Sequence, residues 1–290
     1  MVNELKQSKV LTSRQRQNRL FGRAILVKEE KVQRQKEKTG LSISHLTNSM
    51  IKDYLFCPRL FYFKYILGLR LPMKSIQLVF GSSFHSALEG FYKKEDPEEI
   101  FMKEFLKEKI DPFNEEEYIE AISEGKRFVQ RFIDAQDWLK TYHGIEFEGE
   151  SEKQFKSWWR DPSTGEILDV FVSGRYDRVT KNHQLIDFKT SSKSYSQDKA
   201  DSENQPSVYC FSYFLQEKIE PKEFIYIVFV KGRKDPLQVI KTKRTKEEYS
   251  LMFKIASLVL KGIKGKQFNQ GNGFLHKYCD CYKYEKLLLL

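Results

Sequence analysis

The segment Leu185-Ile186-Asp187-Phe188-Lys189-Thr190 carries two charged groups inside an otherwise apolar run. Side chains alternate along a strand, so Asp187 and Lys189 share one face while Ile186 and Phe188 take the other. Ten residues earlier, Asp177 lies within Ser173-Gly174-Arg175-Tyr176-Asp177-Arg178-Val179, and a tight antiparallel pairing of the two runs brings it near Asp187. Two carboxylates beside a lysine suit a hard divalent cation, Mg²⁺ or Mn²⁺, which favours oxygen ligands and keeps waters for a substrate phosphate. The cation acidifies a water and neutralises phosphate charge, while a lysine stabilises the transition state or orients the nucleophile. That is phosphodiester hydrolysis. Taken alone, an acid and a lysine on one strand are more often a wet ion pair, so the surrounding residues decide. In Gly81-Ser82-Ser83-Phe84-His85-Ser86-Ala87-Leu88-Glu89, His85 and Glu89 stand one helical turn apart, and a neutral imidazole can ligate a metal. Gln205 and Tyr209 repeat that spacing just after the charged strand. Each of these also has an ordinary reading, as a packed or surface histidine and as surface helix decoration.

The elements that must position these residues follow from hydrophobic period. Asn48 to Gly68 has apolar residues at helical spacing, with Asn48 or Ser49 as N-cap and Gly68 as stop. A short helix is expected from Gly81 to Tyr92, and two more over residues 97 to 140, the second with Phe128, Phe132, Ile133 and Trp138 on its apolar face. After Gly144 the period becomes two: three strands, separated by the turn-forming DPSTG and KNHQ, form an antiparallel meander. A helix over 203–217, strands EFIYIVFV and LQVIKTK, and a helix from Lys246 to Lys264 complete an α/β or α+β domain around a central mixed sheet. Glu150 or Glu152, on the strand before Asp177, could extend the site, and the sequence does not choose between them.

In order, G-x-x-x-H (Gly81 to His85), G-x-x-D (Gly174 to Asp177), D-x-K (Asp187 to Lys189) and Q-x-x-x-Y (Gln205 to Tyr209) resemble the RecB-like branch of the PD-(D/E)XK nuclease superfamily. That branch includes the CRISPR-associated RecB-like exonucleases and phage relatives. The helix bearing Cys57-Pro58-Arg59-Leu60-Phe61-Tyr62-Phe63-Lys64-Tyr65 looks like its cysteine-bearing aromatic helix. The resemblance runs from about Ser42 to the C-terminus. It implies a restriction-endonuclease-like core at 41–290 with a helical insertion at about 97–143. His85, Asp177, Asp187 and the Phe188 carbonyl would hold Mg²⁺ or Mn²⁺, Lys189 would be the catalytic lysine, and Gln205 and Tyr209 would contact DNA or brace the lysine. It further implies an exonuclease acting on single strands or DNA ends in processing, repair or recombination, alongside a protein partner, in a bacterial or phage-infected cell. The alternative is a DNA-binding subunit of a recombination or CRISPR-type complex that keeps the fold without turnover.

Many relatives bind an iron–sulfur cluster through one cysteine on the first helix and three near the C-terminus, spaced C-x-x-C-x-Y-x-x-x-C. Cys57 matches the first. If Cys279 is the second, Tyr284 fits the tyrosine, but Tyr282 and Leu288 stand where cysteines belong. The expectation is therefore a lost cluster that leaves buried cysteines. Cys57, Cys279, Cys281 and His276 would suffice for zinc as a lesser alternative, and a zinc-binding interaction module with an accidental D-x-K is a third functional reading.

Composition bounds the rest. Of a formal charge of +10, residues 1 to 40 contribute +7, from eleven Lys or Arg against four Glu, leaving +3 for the other 250. Charge alone is thus weak evidence for nucleic acid, and the first forty residues are expected to be a partly helical or disordered extension. Four cysteines are too few for a secreted disulfide framework, and no apolar run reaches membrane-spanning length. Those features suggest a soluble, intracellular protein, and the resemblance implies the cytoplasm.

Overall fold

The computed structural model describes residues 43–71, 73–110, 113–271, 276 and 279–288. The basic extension expected over residues 1–40 lies outside them. In chain order the elements are β1 (His45–Leu46), α1 (Asn48–Phe56), α2 (Pro58–Phe61), a π-helical turn (Tyr62–Ile66), α3 (Ile76–Tyr92), α4 (Pro97–Leu106), α5 (Glu115–Asp134), α6 (Gln136–His143), β2 (Gly149–Ser157), β3 (Phe171–Thr180), β4 (Gln184–Ser191), α7 (Gln197–Ser202), α8 (Asn204–Glu217), β5 (Glu223–Val230), β6 (Leu237–Thr242), α9 (Lys246–Lys264) and α10 (Asp280–Leu288). They fall into two compact units, one formed by Ile43–Phe56 and Met73–Gln267, the other drawing on Cys57–Pro72 and Phe268–Leu290.

The larger unit is built on a six-stranded mixed sheet of order β1-β3-β4-β5-β6, with β2 also paired to β3. The expected meander is present: β2, β3 and β4 pair antiparallel in sequence. β4 then runs parallel to β5 from Gln184↔Glu223 to Ser191↔Val230, which requires the crossover that α7 and α8 supply. Because β5 is buried on both faces, it reads as the unbroken apolar run EFIYIVFV. One sheet face, through Ile186, Phe188, Ile225, Ile227 and Phe229, forms a core with Val79, Phe80 and Phe84 of α3, Phe101 and Phe105 of α4, and Phe128 and Phe132 of α5. Opposite it, Trp159 packs on Phe211 of α8, which stacks on Tyr249 of α9 at 5.0 Å. The mixed sheet flanked by helices is the α+β architecture expected.

Local chemistry shifts several boundaries. Thr47, not Asn48 or Ser49, caps α1, its Oγ1 accepting from Met50 N–H at 3.1 Å. The single helix expected to Gly68 breaks at Cys57, whose extended backbone (φ −157°, ψ 102°) is what a residue before proline prefers, and Pro58 restarts the helix at its first position. α3 begins at Ile76, five residues ahead of the expected start, because Ser75 caps it on Leu78 N–H. Three helices, not two, occupy 97–143, each of the first two opened by a capping side chain, Asp96 and Asn114. Among the described residues, no helix is long and apolar enough to cross a membrane.

Candidate active site

Asp187 is nearly fully buried in the middle of β4, on the face away from Ile186 and Phe188 as alternation requires. β3 and β4 keep ladder pairs only at Arg178↔Ile186 and Val179↔Leu185. Past them Asp177 and Asp187 come next in register, and the Asp177 carboxylate accepts the Phe188 N–H at 2.9 Å. The same Oδ2 lies 3.3 Å from Nδ1 of His85, which α3 carries to this point. Lys189 reaches back along its own strand to place Nζ 2.7 Å from Asp187 Oδ2. Gln205, one residue into α8, donates from Nε2 to Asp187 Oδ1. Tyr209, one turn further, packs against Phe155 and Tyr176.

Glu152 resolves the choice that the sequence left open. It faces His85, Leu88, Glu89, Tyr92, Asp177 and Phe188 across a small cleft. Glu150, by contrast, is exposed and pairs with Lys153. The backbone of Glu152 is left-handed (φ +55°) in the middle of β2, a conformation that costs an L-residue about 1–2 kcal/mol. Such strain persists where the surroundings hold it and concentrates at functional sites. The ladder register, Ser151↔Arg178 and Lys153↔Tyr176, sets Glu152 opposite Asp177. Both glutamates share one parity on the strand, so alternation could not separate them, and the long β2–β3 connection hides the register from the sequence.

Electrostatics match a cation site. Burial pushes the Asp187 carboxyl well above the usual carboxylate range, against the pull of Lys189, and the neighbouring Asp177 charge adds to the rise. Burial opposes the Lys189 ammonium, but Asp187 and Asp177 outweigh it and hold the lysine charged. Glu152 is likewise raised, by burial first and by Asp177 and Glu89, despite Arg175 alongside. Asp187 Oδ2 and Glu152 Oε2 are buried carboxylate oxygens, the first 2.7 Å from the Lys189 ammonium and the second paired with the Arg175 guanidinium. Buried carboxylates gathered with a histidine fit a hard divalent cation.

Sequence reading missed Arg244, which carries no motif. Its buried guanidinium donates to Ala200 O at 2.8 Å, Asp201 O at 2.9 Å and Ser207 Oγ at 2.9 Å, tying the α7–α8 junction and so the helix that presents Gln205. On the aromatic segment that follows Cys57, Phe61 and Phe63 are buried, and Phe63 lies 5.8 Å from Tyr284. Cys57, Cys279, Cys281 and His276 gather in the smaller unit.

Comparison with known proteins gives a match to the family model of the PD-(D/E)XK nuclease superfamily over residues 45–282. No curated protein matches. Among solved structures, a candidate exonuclease from Eubacterium rectale superposes with a TM-score of 0.55 at 15% identity, covering 83% of this chain and 88% of that one. The protein SSO0001 aligns over 90% of this chain and 94% of its own at 12% identity, with a TM-score of 0.36.

Proposed function

The chain belongs to the PD-(D/E)XK nuclease superfamily, and from that premise we propose that it is a divalent-metal-dependent deoxyribonuclease of the RecB-like kind, an exonuclease acting on DNA ends or single strands in DNA processing. The observation that carries this reading is the convergence of His85, Asp177 and Asp187 with Lys189 where β3 and β4 part. His85, Asp177, Asp187, Glu152 and the Phe188 carbonyl would hold Mg²⁺ or Mn²⁺. Bound there, the cation supplies Lewis-acid neutralisation of the phosphate and makes a water more acidic. Lys189, kept protonated by Asp187, donates to the phosphoryl oxygens as negative charge builds on them. A bond forms from water oxygen to phosphorus, the P–O ester bond breaks, and the proton that the water gives up is balanced by the one that the leaving alkoxide takes from solvent. Gln205 holds Asp187 in the orientation this requires. Motif order and the candidate exonuclease among the structural neighbours support the exonuclease reading.

The test is cleavage of end-labelled single- and double-stranded DNA with Mg²⁺, Mn²⁺ or EDTA, by wild type and by Asp187→Ala and Lys189→Ala at matched folding. Metal-dependent product lost in both variants, with a ladder running from one end, is expected. DNA bound but uncut under every metal would replace this reading with that of a binding subunit.

A further inference from the structure

Four side chains separated widely in sequence meet inside the smaller unit. Cys57, immediately before α2, and Cys281, in α10, bring their sulfurs to 3.5 Å, too far for a disulfide bond. Nδ1 of His276 lies 3.1 Å from the Cys281 sulfur, and Cys279 completes the group. All four residues are buried, all three cysteines are free thiols, and one ligand atom from each falls within 4.8 Å of the others. A tetrahedral zinc with Zn–S near ~2.3 Å sets its ligand atoms about 3.8 Å apart, so the four need close by less than an ångström or so.

The surroundings are those of a built metal site. Nε2 of His276 faces Glu285 Oε2 at 3.2 Å, which leaves Nδ1 as the lone-pair nitrogen turned toward the sulfurs. Glu285 is itself held by Arg59 Nη1 at 2.6 Å. A carboxylate that fixes the tautomer and ring orientation of a ligating histidine is the usual outer partner of a metal-bound imidazole. Leu60, Phe63 and Tyr284 close an apolar shell around the sulfurs.

The geometry points to a mononuclear zinc bound by Cys57, Cys279, Cys281 and His276 Nδ1, a second metal site separate from the nuclease centre and independent of the reading given to that centre. In a four-iron cluster each ligand binds a different corner, so the thiolates stand farther apart than on one ion, with the cluster between them. Here Cys57 and Cys281 are already at single-ion spacing. Three thiolates and one imidazole are a common closed set for structural zinc, and each thiol yields its proton on ligation. Zinc would then clamp Cys57 to a C-terminal segment 224 residues away, stabilising the smaller unit through loop closure.

The test is elemental analysis of full-length protein produced with both iron and zinc supplied, then dialysed against EDTA. One zinc per chain is expected in wild type and in Asp187→Ala, with no visible iron–sulfide absorption. It should be lost in Cys281→Ser and retained in His276→Cys, which keeps four ligands. Cobalt exchanged into the wild type should show the intense visible bands of a tetrahedral thiolate site. Iron with inorganic sulfide at several atoms per chain, or folded wild type free of both metals, would overturn the proposal. So would zinc that leaves with Asp187→Ala, since that ion belongs to the nuclease centre.

Discussion

Replacing Glu152 by glycine removes the carboxylate that lines the cleft and, in the same step, the backbone strain that holds it there. A left-handed L-residue costs about 1–2 kcal/mol, and glycine in a strand interior gives back roughly 0.5–1 kcal/mol in chain entropy. The geometry alone therefore predicts a gain of up to about 1.5 kcal/mol, or a rise of up to about 6 °C in the unfolding midpoint. Glu152→Gln keeps the strain and removes only the charge. Because the folded-state carboxyl is raised, its ionised form disfavours the fold: that penalty is absent below the ordinary glutamate range and sets in as pH rises through the raised value. Measured by differential scanning fluorimetry in EDTA, both variants should exceed wild type at pH 7.5. Towards pH 4 the glutamine advantage should vanish while the glycine advantage persists. Metal titration of DNA cleavage should show about a tenfold to hundredfold weaker Mn²⁺ dependence in both. A glycine variant less stable than wild type at pH 7.5, or either variant cleaving with unchanged metal dependence, would refute the reasoning.

The two motif glycines should behave oppositely. A Cβ on Gly174 would meet the buried Phe155 ring at 2.5 Å, so Gly174→Ala should cost about 1–3 kcal/mol in chemical denaturation. One on Gly81 meets only Thr190 Oγ1 at 3.5 Å, so Gly81→Ala, inside α3, should stabilise by up to about 1 kcal/mol. Arg244→Lys should destabilise nearly as much as Arg244→Ala, by about 2 kcal/mol or more, because an ammonium cannot reproduce the fork that reaches Ala200, Asp201 and Ser207 together. Chemical denaturation of both variants beside wild type would show this. Gln205→Ala should lower the cleavage rate more than the unfolding midpoint, since its amide orients Asp187 from a helix anchored elsewhere, and steady-state kinetics beside melting curves separate the two.

What the sequence determined by itself was local or periodic. Alternation placed Asp187 and Lys189 on one face of β4, the turn between Val179 and Leu185 was short enough to bring Asp177 beside them, and the order of four short motifs pointed to the family. Helix starts were less legible, because Thr47 and Ser75 cap from positions that any hydroxyl could fill, and Pro58 divides a helix whose apolar spacing continues across it. Only tertiary structure chose Glu152 over Glu150, since two glutamates of equal parity differ only by register and by a strained backbone. Tertiary structure also bound Gln205 to Asp187 and brought Arg244 under the α7–α8 junction. The cysteines show the division most clearly. Their spacing read as a cluster with ligands lost, with zinc held by Cys57, Cys279, Cys281 and His276 as the lesser alternative, because spacing alone does not say which side chains meet. Folding sets His276 against Cys281 and Glu285 behind His276, and it brings Cys57 to Cys281 across 224 residues, a separation that no spacing rule encodes.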